Sequence, residues 1–80
     1  MKPGIVVYRK QRVGEIALRV RVARIKAGWT QEQVAEHLGY SRAHVNRVEQ
    51  GSAQLGIADL ELLSDAFHVT LTEFLELSNE

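Results

Sequence analysis

The sequence contains no cysteine, which excludes disulfides, thiolate metal sites and a thiol nucleophile and fits a reducing compartment. Long apolar runs are also missing, so no segment is expected to span a bilayer, and the N-terminus has no stretch of signal-peptide character. A cytoplasmic protein with no membrane partner is the expectation. Lysine and arginine are absent from residues 51–80, where Asp59, Glu61, Asp65, Glu73, Glu76 and Glu80 give a charge of −6. Acids are nearly absent from residues 1–30, where Glu15 stands against Lys2, Arg9, Lys10, Arg12, Arg19, Arg21, Arg24 and Lys26 for a charge of +7. Residues 31–50 come to −1, and the whole chain to zero. Zero net charge by itself argues against a nucleic-acid partner, but the uneven distribution suggests one surface that meets an anion and another that faces away. A solvated charge run is the plainer alternative.

Catalytic and metal-binding patterns are missing as well. His37, His44 and His68 have no spacing that brings two onto one helical face, so no metal and no cofactor is expected. Ser41 and Ser64 have no neighbouring base, and the carboxylates of the acidic half are scattered. Nothing in the pattern suggests an enzyme.

What remains is a chain of 80 residues, 45% hydrophobic and 25% charged, the composition of one globular domain. A core this small supplies roughly 3–5 kcal/mol, so association with a second copy is a natural supplement. Residues 1–14 read as an N-terminal basic arm or short strand: the run Ile5-Val6-Val7-Tyr8 is β-branched and aromatic, and Arg9, Lys10 and Arg12 follow it. That basic cluster suits either a tail following a groove or a solubilising surface. From Glu15 to Ala27 the apolar residues Ile16, Val20, Ala23 and Ala27 share one helical face, and Gly28 ends the helix. A second stripe, Leu18, Val22 and Ile25, would be exposed, and Ile5–Tyr8 is its candidate cover.

Thr30 with Gln33 forms a capping box that starts a helix ending near Leu38, with Gly39 at the turn. Ser41 caps the next helix, which carries Val45 and Val48 inward and stops before Gly51. Ile57, Leu60, Leu63, Ala66 and Phe67 mark a further amphipathic helix. Thr70 with Glu73 caps a last one at about Leu71–Leu77, with Val69 and Phe74 as a hydrophobic staple. Two short helices joined by a tight turn, at about 31–50, have the proportions of a helix-turn-helix. Ala35 is small where crossing helices approach, and Gly39 follows it at the turn.

The segment Arg24–Gly51, RIKAGWTQEQVAEHLGYSRAHVNRVEQG, resembles the Cro/repressor type, or XRE-like, helix-turn-helix family, and the resemblance extends from about Ile16 to Leu75. It implies an all-α, five-helix, lambda-repressor-like DNA-binding domain over residues 15–77 that binds double-stranded DNA as a homodimer on a palindromic operator. The N-terminal part of the second helix of such a motif enters the major groove, which makes Arg42, Ala43, His44, Asn46 and Arg47 the base-reading candidates. Gln31 resembles the family's backbone-contacting glutamine, and Ser41 and Gln50 are further candidates for phosphate contact. Arg24 and Glu49 resemble the family's structural ion pair. The chain departs from the pattern in its N-terminal extension and in the linker after Gly51, which has no proline and, at Ser52, Ala53 and Gln54, no basic residue. A sequence-specific transcriptional regulator, whether repressor or activator, is the leading expectation. A protein-interaction module of the same fold, an antitoxin or adaptor with a toxin or other protein partner, is the alternative, and double alanine substitution at Arg42 and Arg47 separates the two.

Overall fold

The first helix, α1, begins well before the position that its apolar periodicity suggests. In a computed structural model describing residues 3–76, α1 runs Pro3–Lys26, 24 residues, about 36 Å at 1.5 Å per residue. The N-terminal arm or strand expected for residues 1–14 is therefore helical throughout its described part. β-branched residues favour a strand only where another strand pairs their N–H and C=O groups, and no strand is present among the described residues. Extending an existing helix adds one hydrogen bond for each residue fixed. Pro3 stands at the helix start, where a missing N–H removes no ladder bond.

This geometry also corrects the expectation that Ile5–Tyr8 cover Leu18, Val22 and Ile25 within one subunit. Both groups lie on the same helix, which cannot fold back on itself, and all seven side chains are exposed. Leu18 retains 58% of its surface and Ile25 56%.

The remaining helices among the described residues are α2 (Gln31–Leu38), α3 (Arg42–Glu49), α4 (Ile57–Phe67) and α5 (Leu71–Leu75). Local chemistry sets their starts. Thr30 Oγ1 accepts from the Gln33 N–H at 3.0 Å while Gln33 Oε1 accepts from the Thr30 N–H at 2.8 Å. Ser41 Oγ accepts from the His44 N–H at 3.1 Å, and the Thr70 N–H donates to Glu73 Oε2 at 2.8 Å. Each bond satisfies a backbone or capping group that the helix itself leaves unpaired. Gly39, at φ 77°, turns the chain between α2 and α3 in the left-handed region that a side chain disfavours.

The core joins α1, α2, α3, α4 and α5 through Val20, Val34, Val45, Leu63 and Phe74, all nearly free of solvent. Trp29 closes one side, its ring edge-on to Phe67 at a centroid distance of 5.5 Å. Ala27 and Ile57, expected on buried faces, are exposed. Ala27 lies past the end of α1 and Ile57 opens α4, so neither stands over the core.

The last helix ends sooner than expected because α1 stops it. Arg12 Nη2 donates to the Leu75 carbonyl at 2.6 Å and Nη1 to the Glu76 carbonyl at 3.3 Å. Arg19 Nη1 donates to the Glu76 carbonyl and, at 3.4 Å, to that of Phe74. Two guanidinium groups thus satisfy C-terminal carbonyls that a helix cannot pair internally, and their charge complements its dipole. Glu76 leaves the helix at φ −56° and ψ 139°, and the expected end at Leu77 lies outside the described residues. Arg12 and Arg19, read from the sequence as solvent- or groove-facing charges, are caps.

One cap is strained. His68 terminates α4 at φ 60°, and it is the one described residue other than glycine with positive φ. His68→Gly is expected to raise stability by about 0.5–1 kcal/mol, the relief of a side chain in the left-handed region less the added freedom of the unfolded chain. A thermal melt shifted upward by about 4 °C would show it; an unchanged or lower midpoint would mean that the imidazole makes a compensating contact. No described helix is long and apolar enough to cross a membrane.

Candidate nucleic-acid interface

Val45 and Val48 are buried and fix α3 against the rest of the domain. The opposite side of a helix lies half a turn away, so the outward row is Ala43, Asn46, Arg47 and Gln50, spaced by three and four residues, and all are exposed. Arg42 is also exposed, on the flank toward α2, where it lines a shallow cleft with Thr30, Glu32, Gln33 and Glu36. It forms no hydrogen bond or ion pair among the described residues. His44 is half-buried rather than projecting. Its ring lies 4.8 Å from that of Tyr40, and its Nδ1 is 3.5 Å from Arg47 Nη2, at the outer limit of a hydrogen bond.

The inner edge of α3 is held by a polar network. Arg24 Nε donates to Glu49 Oε2 at 2.7 Å and Nη2 to Oε1 at 3.1 Å, while Nη1 donates to the Trp29 carbonyl at 2.8 Å. The Glu49 side chain is only 2% exposed. Such a two-pronged pair fixes the guanidinium plane as well as its charge. Gln31, the first residue of α2, donates from Nε2 to Glu49 Oε1 at 3.1 Å and to Asn46 Oδ1 at 3.3 Å. The α2 start, Asn46 and the Arg24–Glu49 pair therefore form one connected unit. Glu49, the sole acid of α3, is neutralised by Arg24, which leaves Arg42 and Arg47 as the uncompensated charges of that helix.

Ser41 and Gln50 stand at the two ends of α3. The Ser41 oxygen is engaged as the N-cap acceptor but its hydroxyl proton is still available to a phosphate oxygen. Gln50 is the C-cap, with an exposed amide and a backbone N–H bonded to Asn46. At the turn, Tyr40 donates its hydroxyl to Asp59 Oδ2 at 2.5 Å, tying the segment before α3 to α4. This hydrogen bond, with the charge of Asp59, holds the phenol above its usual pKa, because losing the proton would set two anions face to face. Sequence pattern gave no signal for the Tyr40–Asp59 contact, since the two lie in different elements. Among the described residues every buried side-chain nitrogen or oxygen has a hydrogen-bond partner, and no cluster of His, Asp and Glu could hold a metal ion.

Known proteins share this architecture. A family model described as a helix-turn-helix domain matches residues 15–77. The competence pilus inhibition repressor of Acinetobacter baylyi is 31% identical over 64 residues, 80% of this chain and 58% of that protein. The chain thus spans little more than half the length of that relative, and 57% of a second, the Neisseria hypothetical transcription factor from Neisseria meningitidis serogroup B. Among solved structures, the hypothetical transcription factor NHTF from Neisseria aligns with a TM-score of 0.71 at 26% identity, covering 84% of this chain and 78% of that one. The restriction-modification controller protein C.AhdI from Aeromonas hydrophila also aligns at 0.71, with 25% identity over 81% of this chain and 94% of its own. With most of its length matched by the family model and its helices aligned on regulators of the XRE type, the chain belongs to the helix-turn-helix domain family.

Proposed function

We propose that this protein is a sequence-specific DNA-binding transcriptional regulator that acts in the cytoplasm as a homodimer on a two-fold symmetric operator. The observation that carries the proposal is the outward face of α3, where Arg47, Asn46 and Ala43 project with Arg42 at the flank, and where the one acid of the helix, Glu49, is paired with Arg24. Seated in the major groove, Arg47 and Arg42 reach guanine O6 and N7, and Asn46 reaches adenine; His44, drawn back against Tyr40, contributes at the edge of the contact. Gln31, Ser41 and Gln50 flank the helix where phosphate oxygens run. Its similarity to a repressor, a hypothetical transcription factor and a restriction-modification controller protein supports a regulatory role.

A homodimer is supported by the apolar surface that the monomer leaves open. Leu18, Val22 and Ile25 stand in a row on α1, and Leu18 and Val22 border a cleft of about 330 Å³ whose floor includes Phe67 and Phe74. Leu62 on the acidic α4 is exposed as well. Surface of this kind on so small a domain favours a second copy.

Selection from random duplex DNA, followed by titration of the winning sequence at several salt concentrations, tests the whole reading. An inverted repeat with half-sites about 34 Å apart, bound with an affinity that falls steeply with salt, is the expected result. Enrichment of no sequence would overturn it and favour the protein-binding module, for which zero net charge and the uncharged linker already speak.

A further inference from the structure

The linker from Gly51 to Gly56 carries no charged side chain. It nevertheless occupies a position where charge is useful. Both the N–H and the hydroxyl of Ser52 donate to the Arg47 carbonyl, at 2.9 and 3.1 Å, so the linker folds directly against the last turn of α3. A helix lying in a major groove about 12 Å wide is bordered by phosphate strands, and the chain leaving its end runs beside one of them.

The extension of α1 supplies the missing charge. One face of α1 rests on α3 and the linker: Arg24 pairs with Glu49, Ala17 and Val20 are buried, and Val13 is half-buried. Continued toward the N-terminus at the same helical spacing, this face presents Arg9 and Lys10. With Val13 they form one wall of an open cleft of about 670 Å³ whose other wall is the linker itself, residues 51–54. The approach is close because two glycines meet there: a Cβ built on Gly51, at φ 79°, would lie 3.7 Å from Gly14 Cα. Arg12 and Arg19 are committed to capping α5, whereas Arg9 and Lys10 have no hydrogen bond or ion pair among the described residues.

We infer that Arg9 and Lys10, carried over the linker by the helical extension, are a phosphate-binding site that grips the DNA backbone at the C-terminal end of the recognition helix. The inference rests on the DNA-binding reading above and adds to it a second contact region, remote in sequence from the helix-turn-helix. Contacts of this kind raise affinity for every sequence alike and carry no base preference.

The test compares the intact chain with Arg9→Gln/Lys10→Gln on the selected operator and on an unrelated duplex, across a salt series. Each lost phosphate contact lowers the slope of log affinity against log salt by about 1, so a decrease of about 2 per bound protomer is expected, with both duplexes weakened and the preferred sequence unchanged. Arg21→Gln/Lys26→Gln removes the same charge from exposed positions that do not line this cleft and is expected to leave the slope near that of the intact chain. Adding Ser52→Lys and Gln54→Lys to the Arg9→Gln/Lys10→Gln chain returns charge to the opposite wall of the cleft and is expected to restore the slope. An unchanged slope in the first variant, or equal losses in the first two, would overturn the site while leaving operator recognition standing. Failure of the intact chain to select any sequence would instead remove the underlying DNA-binding reading.

Discussion

Arg24→Ala is expected to bring the protein close to unfolding, with a loss of about 3–5 kcal/mol measured by urea denaturation. Removing the guanidinium leaves the Glu49 carboxylate, whose side chain is 2% exposed in the intact chain, with Gln31 as its remaining side-chain partner, and also strips a donor from the Trp29 carbonyl. A charge taken out of water without a counter-charge is far less favourable than the pair it came from. A domain of this size has roughly 0.05–0.15 kcal/mol of stability per residue, so the loss is comparable with the whole. Replacing both partners by apolar groups, Arg24→Met with Glu49→Leu, removes the orphaned charge and is expected to recover most of the loss. A single variant within about 1 kcal/mol of the intact chain would show that water reaches Glu49 when Arg24 is gone and that the pair is closer to a surface bridge.

Arg42→Ala/Arg47→Ala is expected to abolish operator preference without disturbing the fold. Each arginine that reads a guanine with two hydrogen bonds contributes about 1–3 kcal/mol of discrimination, roughly 5- to 150-fold per half-site. Both side chains are exposed and neither supports the core, so denaturation should move by no more than about 0.5 kcal/mol. Binding measured against a panel of operator variants is the readout, with weak salt-dependent binding left behind. Full retention of sequence preference would place base reading elsewhere. Arg47 is expected to be the more sensitive of the two, because it shares the outward row with Ala43 and Asn46, whereas Arg42 leans toward the acidic outer edge of α2.

The helices after α1 were legible because their ends are written in neighbouring residues. Thr30 with Gln33, Ser41, and Thr70 with Glu73 each cap a helix through a contact three residues long, and Gly39 marks its turn by a conformation that glycine adopts freely. α4 could be bounded at Ile57–Phe67 from its apolar period, although Ile57 itself proved exposed. The run Ile5–Tyr8 misled because propensity treats each residue as though a sheet were available to receive it, and none is present among the described residues. At the candidate interface, inward valines at 45 and 48 dictate which side of α3 faces out, so much of that row follows from the period alone. The withdrawal of His44 against Tyr40 does not, since it depends on a ring contributed by the preceding turn.

By itself, then, the sequence determined the helical nature of residues 15–75, the caps, the small-residue turn and the split between a basic and an acidic half, all properties carried by residue type and short-range spacing. The tertiary structure decided what the basic half does. Arg12 and Arg19 cap a helix more than fifty residues away, Arg24 neutralises Glu49, and Arg9 and Lys10 come to rest over the linker behind α3. Contacts between residues so far apart leave no periodic trace in a single chain, because they depend on how rigid helices are packed and on which carbonyl, carboxylate or loop each long side chain can then reach.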